Sequence, residues 1–389
     1  MTLGKTRTKV VVVSAFFPAH GGGIEAVAGH LAGEFSRKMD ITWMAGGPTS
    51  EMPGDMQLPS LRIVGARSIN LLERRFGLPW PIWGPRSMLE LRRHIKAADI
   101  VHVHDYLYPS SMAALFFAAV SRKPLVMTQH IGSIPYRSKV MRGLLEVLNR
   151  TLGRLVLGHS DQVAFVGKQV MEYFGGFVSY KADPVLIPNG VSHDRYRPID
   201  STHDPDAPSR LLFVGRFVEK KGVTLLRQCV GIPGTRWTFI GRGHESPSTW
   251  GRLPANVSVL ENLQAADIVP YYQNSDLLIL PSTGEGFPLV IQEALACGTP
   301  VLVSDEVRAS FPVDDSRCVF DVSLKEGDPA TSLRKRIAEI VSQKSQLHEA
   351  RKHALVLSRQ WSWESCASAY ASIFSRLTWH RQESPSNQP

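Results

Sequence analysis

Residues 282–305 read STGEGFPLVIQEALACGTPVLVSD. Turn residues open the stretch, Gly286-Phe287-Pro288 makes a corner, and a helical run follows before Gly298-Thr299-Pro300 leads into a short β-branched strand. Pro288 fits the first helical turn, where its missing N–H is harmless. Glu285 then lies in the loop before the helix, and Glu293 about a turn and a half inside it. A carboxylate accepts two hydroxyl hydrogen bonds at once, so two glutamates flanking such a corner suit two vicinal diols, one on a ribose and one on a sugar ring. The N–H groups of Phe287's segment, Leu289 and the next residues remain free for phosphate or hydroxyl oxygens. Compensation of the helix dipole is the plainer account of a glutamate here; it covers Glu285 but leaves Glu293 unexplained.

Outward from this stretch, strand-like runs alternate with amphipathic helical patterns. The first half carries KVVVVSA, DITWMAG, DIVHVH, PLVMTQH, QVAFVG and PVLIPNG; the second carries RLLFVGR, RWTFIGRG, VSVLE, LLILPS and PVLVSD. Two such series make two doubly wound α/β domains, in which ligands bind beyond the carboxyl ends of the strands. Between them RYRPIDSTHDPDAPSRL is rich in Pro, Asp and Ser and lacks apolar periodicity, which places a linker near residues 192–209. The expected domains are 1–191 and 208–360, and a strong amphipathic helix follows at WSWESCASAYASIFSRL, ahead of a frayed tail.

At 389 residues, 43% apolar and 20% charged, the chain has the material for two hydrophobic cores and is neither disordered nor fibrous. No apolar run approaches the roughly 18 residues that cross a bilayer; MAALFFAAV, the longest candidate, reads as buried helix. The start imitates a secretory leader, with basic residues before VVVVSAFF, but short β-branched runs ending in Gly/Pro loops recur along the chain and favour a first buried strand over residues 10–15. Cys229, Cys297, Cys318 and Cys366 share no metal-site spacing and read as buried thiols of a reducing compartment. A net charge of +9 implies an acidic partner: nucleotide phosphates, nucleic acid or an anionic membrane.

In LLFVGRFVEKKGVTLLRQ a strand ends at Gly215, and Arg216 and Lys221 follow before a helix begins near Gly222. Two cations at a strand mouth beside a helix N-terminus suit a diphosphate, although a solvated loop with unrelated charges has the same spelling.

Together these residues resemble the nucleotide-sugar half of the retaining glycosyltransferases of family 4. The matching segments are VGRFVEKKG, NSDLLILPSTGEGFPLVIQEALACGTPV with seven residues between its two glutamates, and VLIPNGVSHDRYRP. The first half fits as well: FFPAHGGGIEAVAGHLA is similar to the family's glycine-rich acceptor-domain loop, and VHVHD and TQHIG end later strands. The resemblance implies a GT-B fold: two Rossmann-like domains facing a central cleft, with the last helix, about residues 364–380, crossing back to the first domain. It implies that Arg216 and Lys221 hold the donor diphosphate, that Glu293 binds the ribose and Glu285 the transferred sugar, and that Gly286, Phe287, Pro288 and Leu289 line the donor. Gly22 and Gly23 would admit the diphosphate from the other domain, and His130 would face the donor sugar near the reacting carbon. The implied activity is hexosyl transfer from a UDP- or GDP-sugar to a glycan, glycolipid or lipid-linked acceptor in polysaccharide or cell-envelope assembly, with no metal or other cofactor. The implied place is the cytoplasm or the inner face of its membrane.

Several features point elsewhere or depart from the family. Asp204 and Asp206 spell an Asp-x-Asp, but they flank a proline in the linker and read as solvated. His102 and His104 share a strand face as a metal pair would, without an evident third ligand beyond Asp105. After VLVSD the chain reads EVRASFPVDDSRC in place of the family's glycine pair, and VSVLENL lacks its phenylalanine-x-glycine near the base, which leaves the donor's identity open. Residues 137–154 interleave Arg137, Lys139, Arg142, Arg150 and Arg154 with Met141, Leu144, Leu145, Leu148 and Leu152, and Arg62, Arg67, Arg74, Arg75, Arg86, Arg92 and Arg93 lie upstream with Trp80 and Trp83. Such a segment is either a membrane-surface helix or a core-packed helix with solvated arginines. A nucleic-acid partner would call for an aromatic-basic stripe or a recognition helix, and neither is visible. An epimerase or a phosphorylase of similar architecture is a further alternative; the latter needs a cofactor lysine site that is not found.

Overall fold

The computed structural model describes residues 7–49, 58–70, 80–134, 138–199, 206–313 and 315–383. Arg74, Arg75, Arg137 and Asp204 lie outside the described residues. The strands are β1 (Lys9–Phe16), β2 (Asp40–Gly46), β3 (Leu61–Ala66), β4 (Ser68–Ile69), β5 (Ile82–Trp83), β6 (Ile100–His104), β7 (Leu125–Gln129), β8 (Gln162–Phe165), β9 (Val185–Leu186), β10 (Ser209–Val214), β11 (Thr235–Gly241), β12 (Val257–Glu261), β13 (Leu277–Leu280), β14 (Val301–Ser304) and β15 (Val319–Val322). They form a sheet in the order β3-β2-β1-β6-β7-β8-β9, a second in the order β12-β11-β10-β13-β14-β15, and a small β4-β5 hairpin. Every pairing in the two large sheets is parallel.

The sequence explains this order. β1 is buried along all but its first residue, and β6, β7, β8, β13 and β14 are buried throughout. Continuous apolar runs of this kind need helices on both faces, which only parallel crossovers supply. In each sheet the chain winds one way from its first strand and then returns to the other side, so the switch points lie between β1 and β6 and between β10 and β13. Crevices open there at the carboxyl ends.

Val191 to Trp361 contribute to the core of the second sheet, whereas Trp363, Cys366, Ala367, Tyr370, Ile373 and Phe374 pack with Val10, Val12 and Trp43 in the first. The helix Trp363–Glu383 therefore crosses back, and the crossing occurs at Ser362, which bridges to Val191. Gly190 beside that bridge lies so close to the Trp363 backbone that a Cβ would overlap it. All four cysteines are buried and unbonded. Among the described residues, no helix is long and apolar enough to cross a membrane.

One expectation fails. The helix Pro109–Val120, which contains MAALFFAAV, is not buried all round: Ser110, Ser111, Ala114 and Ala118 face the protein, while Phe116 is 62% exposed. Small residues let the helix lie close on the sheet, Leu115 and Phe117 pack partly buried at its sides, and Phe116 and Val120 are left outside. The corner at Pro288 also shifts by one residue, because Pro288 is the extended N-cap (ψ 131) of a helix that runs Leu289–Ala296.

Candidate active site

The second sheet delivers its charged side chains from the loops at its switch point. After β10, Val218 leads into a short turn, Glu219–Lys221, closed by Gly222 at φ 68. Only glycine fits there, since the conformation is left-handed and a Cβ would also overlap the Pro281 carbonyl oxygen. The turn throws Lys220 and Lys221 toward the loop after β13. Lys221 Nζ lies 3.0 Å and Lys220 Nζ 3.5 Å from Glu285 Oε1. Burial pushes the Glu285 carboxyl up, but the two lysines together outweigh it and the net direction is down. Burial lowers the Lys221 ammonium, against the pull of Glu285, and Lys220 and Arg216 add to the lowering. Arg216 itself is exposed at the loop's outer edge.

Glu293 projects from the helix Leu289–Ala296 onto two phenols. Tyr272 Oη donates to Glu293 Oε2 at 2.7 Å, and Tyr196 also hydrogen-bonds its side chain. Burial raises the Glu293 carboxyl, opposed by these two bonds. The helix start is fixed from the interdomain connection, where Asn189 Nδ2 donates to the Phe287 carbonyl at 2.9 Å and Gln292 Nε2 donates to the Asn189 carbonyl. The Phe287 ring is not free to line a donor: it is 2% exposed and packs edge-on against Phe311 and Trp361. Leu289 packs onto the core of the first sheet. The turn before Glu285 is held by Glu306, whose Oε1 accepts from Gly284 N at 2.5 Å. Glu306 belongs to the segment that departs from the family's spelling.

The opposite wall belongs to the first sheet. β1 ends in Phe16, and the loop beyond it reaches Gly22, the N-cap of the helix Gly23–Ser36. A Cβ on Gly22 would overlap the Glu25 carboxylate, whereas the space beside Gly23 is open to 4 Å. β6 and β7 end in an imidazole stack. His104 Nδ1 lies 3.1 Å from His130 Nε2, and the two rings stack at 5.3 Å. His102 Nε2 lies 2.8 Å from Thr128 Oγ1, which in turn lies 2.8 Å from Tyr370 Oη of the crossing helix. Burial lowers His130 and His102 to about 3 and holds His104 well below the ordinary imidazole value, so all three rings are neutral at physiological pH. Asp105, at φ 63, sits beside them and accepts from Gln129 Nε2 at 2.8 Å. Burial lifts its carboxyl to about 7. The two strand histidines thus spend a ring nitrogen each on neighbours. Among the described residues, no group of three or more His, Cys, Asp or Glu side chains is arranged to hold a metal ion.

The walls meet at Gly286. Its backbone is wedged between the His130 carbonyl, which a Cβ would overlap, and Gly167, whose own Cβ position is 2.8 Å from the Gly286 oxygen. The backbones next to Glu285 and at His130 are thereby brought together from different domains. A second crossing is made by Arg242, after β11, which donates to the His20 carbonyl in the loop after β1. Sequence reasoning missed Lys220, Tyr196, Tyr272, Arg242 and Glu306. Lys220 was adjacent to a chosen residue; the tyrosines are apolar-looking core positions whose hydroxyls become relevant only once the helix is docked.

Comparison with known proteins supplies the family. Residues 21–195 match the model of Glycosyltransferase Family 4, and residues 208–343 match that of Glycosyl transferases group 1. Among characterised relatives, glycogen synthase of Mycobacterium tuberculosis is 25% identical over 71% of this chain and 68% of its own length. The phosphatidyl-myo-inositol mannosyltransferase of Mycobacterium leprae is 31% identical over 59% of this chain and 65% of its own length. Among solved structures, Anabaena HepE in complex with UDP and glucose superposes with a TM-score of 0.74, covering 95% of this chain and 100% of that one at 15% identity. With two parallel Rossmann-like domains closed around a shared crevice, the chain belongs to the GT-B glycosyltransferases of the family 4 type.

Proposed function

We propose that this glycosyltransferase moves a hexosyl group, with retention of configuration, from a UDP- or GDP-sugar to a glycan, glycolipid or lipid-linked acceptor in bacterial polysaccharide or cell-envelope assembly. The observation that carries the reading is the Gly286 wedge, which sets the Glu285–Lys221 pair of one domain against His130 of the other. Arg216, Lys220 and Lys221 provide positive charge for a diphosphate, and the open space beside Gly23 leaves room for it from the facing loop. Glu293, already oriented by Tyr272, keeps acceptor capacity for ribose hydroxyls. Glu285 does the same for the hexose.

In the transfer, the bond from the sugar carbon to the phosphate oxygen breaks with its electron pair leaving on the diphosphate. The acceptor oxygen attacks the same face, and its proton passes to the departing phosphate oxygen. Negative charge grows where the lysines lie, and fixed donors of that kind each lower a barrier by about 3 kcal/mol. Positive charge grows at the sugar carbon, next to an imidazole that burial keeps uncharged and therefore non-repelling. Lysine and arginine do the work a metal would do, so chelation leaves turnover unchanged. The relatives' names favour a nucleotide-linked hexose: one is a mannosyltransferase acting on a phosphatidylinositol, and one neighbour holds UDP and glucose.

The test is turnover of a panel of UDP-, GDP- and ADP-sugars, read as released nucleotide, with the anomeric configuration of the product set by NMR. One donor is turned over, the product keeps the donor's configuration, and Glu293→Ala lowers kcat/KM about a hundredfold while the fold is intact. An inverted product, or unchanged turnover in Glu293→Ala, refutes the reading.

A further inference from the structure

Lys220 and Lys221 both face Glu285 Oε1, so part of their charge is already answered by the protein itself. Arg242, at the end of β11, is a cation of another kind. It is exposed, and among the described residues its side chain makes one hydrogen bond, from Nη2 to the His20 carbonyl. That acceptor is neutral, and most of the five guanidinium N–H donors stay unspent.

Two fixed backbones place this guanidinium. On its own wall, Phe217 N donates to the Arg242 carbonyl at 2.7 Å and Glu245 N to the Phe217 carbonyl at 3.0 Å. The loop after β11 is thereby spliced to the loop that carries Arg216. On the facing wall, the short turn Pro18–His20 is closed by Gly21 at φ 82, whose N–H donates to the Pro18 carbonyl at 2.8 Å. The His20 ring stacks on Phe16 with centroids 3.9 Å apart, which holds the turn against the end of β1. A Cβ on Gly21 would overlap Arg242 Nη2, so the guanidinium closes onto this turn only because residue 21 has no side chain. Arg242 therefore spans from the cation loop of one domain to the glycine loop of the other.

We propose that Arg242 is a further donor-binding residue, which bridges the crevice over the diphosphate and takes its oxygens when the donor enters. The inference rests on the reading that the crevice holds a nucleoside diphosphate, and it names the group that closes the crevice over it. A phosphate oxygen is a charged acceptor, stronger than a backbone carbonyl, and a guanidinium meets it with two N–H groups at once. As a clasp alone, Arg242 would hold the domains together and affect every nucleotide alike. As a ligand of the diphosphate, it tells two phosphates from one.

The full-length chain is titrated calorimetrically with UDP, GDP and ADP and with the matching monophosphates, in the wild type, Arg242→Ala, Arg242→Lys and Arg216→Ala. At least one diphosphate binds the wild type. Arg242→Ala weakens that binding by about tenfold or more and the matching monophosphate by less than about threefold. Arg242→Lys recovers part of the loss, because the charge returns without the paired donors. Unchanged diphosphate binding in Arg242→Ala, where Arg216→Ala weakens it, overturns the proposal and leaves the diphosphate reading standing. Equal losses for diphosphate and monophosphate also overturn it, and reduce Arg242 to a clasp. No binding of any of the nucleotides, or binding that neither arginine variant alters, refutes the diphosphate reading itself and the proposal with it.

Discussion

On the wall built by the second sheet, Glu285 lies 3.0 Å from Lys221 and 3.5 Å from Lys220; on the facing wall, three imidazoles stand within hydrogen-bond reach of one another or of Thr128, and all are uncharged. Both walls bury polar groups beside the same crevice. One keeps its charges, with two lysines on a single glutamate and a net positive balance, while the other lets burial remove the charge. The first arrangement depends on each partner being present, since an orphaned buried charge is far costlier than a missing pair. The second depends on pH, because a buried imidazole resists a proton that the unfolded chain would take. The same contrast fits the charges expected in the crevice: growing negative charge lies toward the cationic wall, and growing positive charge beside the neutral one.

The sharpest way to break this contrast is to remove a cation. Lys221→Met leaves Glu285 with Lys220 alone, at the longer distance of 3.5 Å. A loss of about 3 kcal/mol in transition-state stabilisation is expected, a fall in kcat/KM of more than a hundredfold, with kcat carrying most of it. Lys220→Met, at the more distant and more exposed partner, costs less. Equal losses in the two variants, or a loss confined to KM, would show that Lys221 serves binding alone and that the cationic wall does not act on the leaving group.

The second disruption targets the seam. Gly286→Ala places a methyl against the His130 carbonyl and 2.8 Å from a Val166 methyl, both on the other domain. Neither neighbour is the flexible end of a long side chain, so the domains must part slightly. A loss of about 2 kcal/mol in stability is expected, together with a drop in activity larger than the stability change explains, because a shift near 1 Å costs about a hundredfold in well-aligned catalysis. Thermal melts alongside initial rates check this. If activity survives with stability lowered, Gly286 matters to packing and not to the alignment of Glu285 with His130.

The same contrast governs what the sequence reveals. The doubly wound fold is legible because buried parallel strands spell themselves as apolar runs such as VVVV and LLIL, each closed by a glycine or proline turn. Glu285 and Glu293 stand out because charged residues in an apolar stretch break its pattern. The wall of histidines is quieter. His102 and His104 alternate with Val101 and Val103 in a strand, and nothing in that spelling says that Thr128 and Tyr370 complete the hydrogen bonds from distant parts of the chain. The tyrosines on Glu293 are hidden for the same reason, since Tyr196 and Tyr272 read as core aromatics until the helix Leu289–Ala296 brings Glu293 onto their hydroxyls. Periodicity marks the apolar stripe of the helix Lys139–Leu148 but not how much of it the protein covers, and within the helix only Leu145 is buried.

The smallest expected effect separates the walls by pH. His102 is held at about 3 when folded, against an ordinary value of 6.5, so below pH 6.5 the unfolded chain binds a proton that the folded chain refuses. Stability contributed in this way is complete above 6.5 and falls on acidification toward 3. Between about pH 7.5 and 5.5 each such histidine removes about 1.4 kcal/mol. Glu285 acts in another window: its folded value lies below the ordinary 4.5, so its contribution is lost only at pH values under that. Over the same interval Asp105, lifted to about 7, takes up a proton only in the folded chain and so gains stability as the histidines lose it. The glutamate–lysine wall stays silent, and the histidine contribution is read from denaturant unfolding as the difference between the wild type and a histidine variant. His102→Gln, which keeps a side-chain partner for Thr128, reduces the loss on acidification by about 1.4 kcal/mol relative to the wild type. An unchanged loss would mean that His102 takes up its proton in the folded state, and the neutral wall would then have to be redrawn as a charged one.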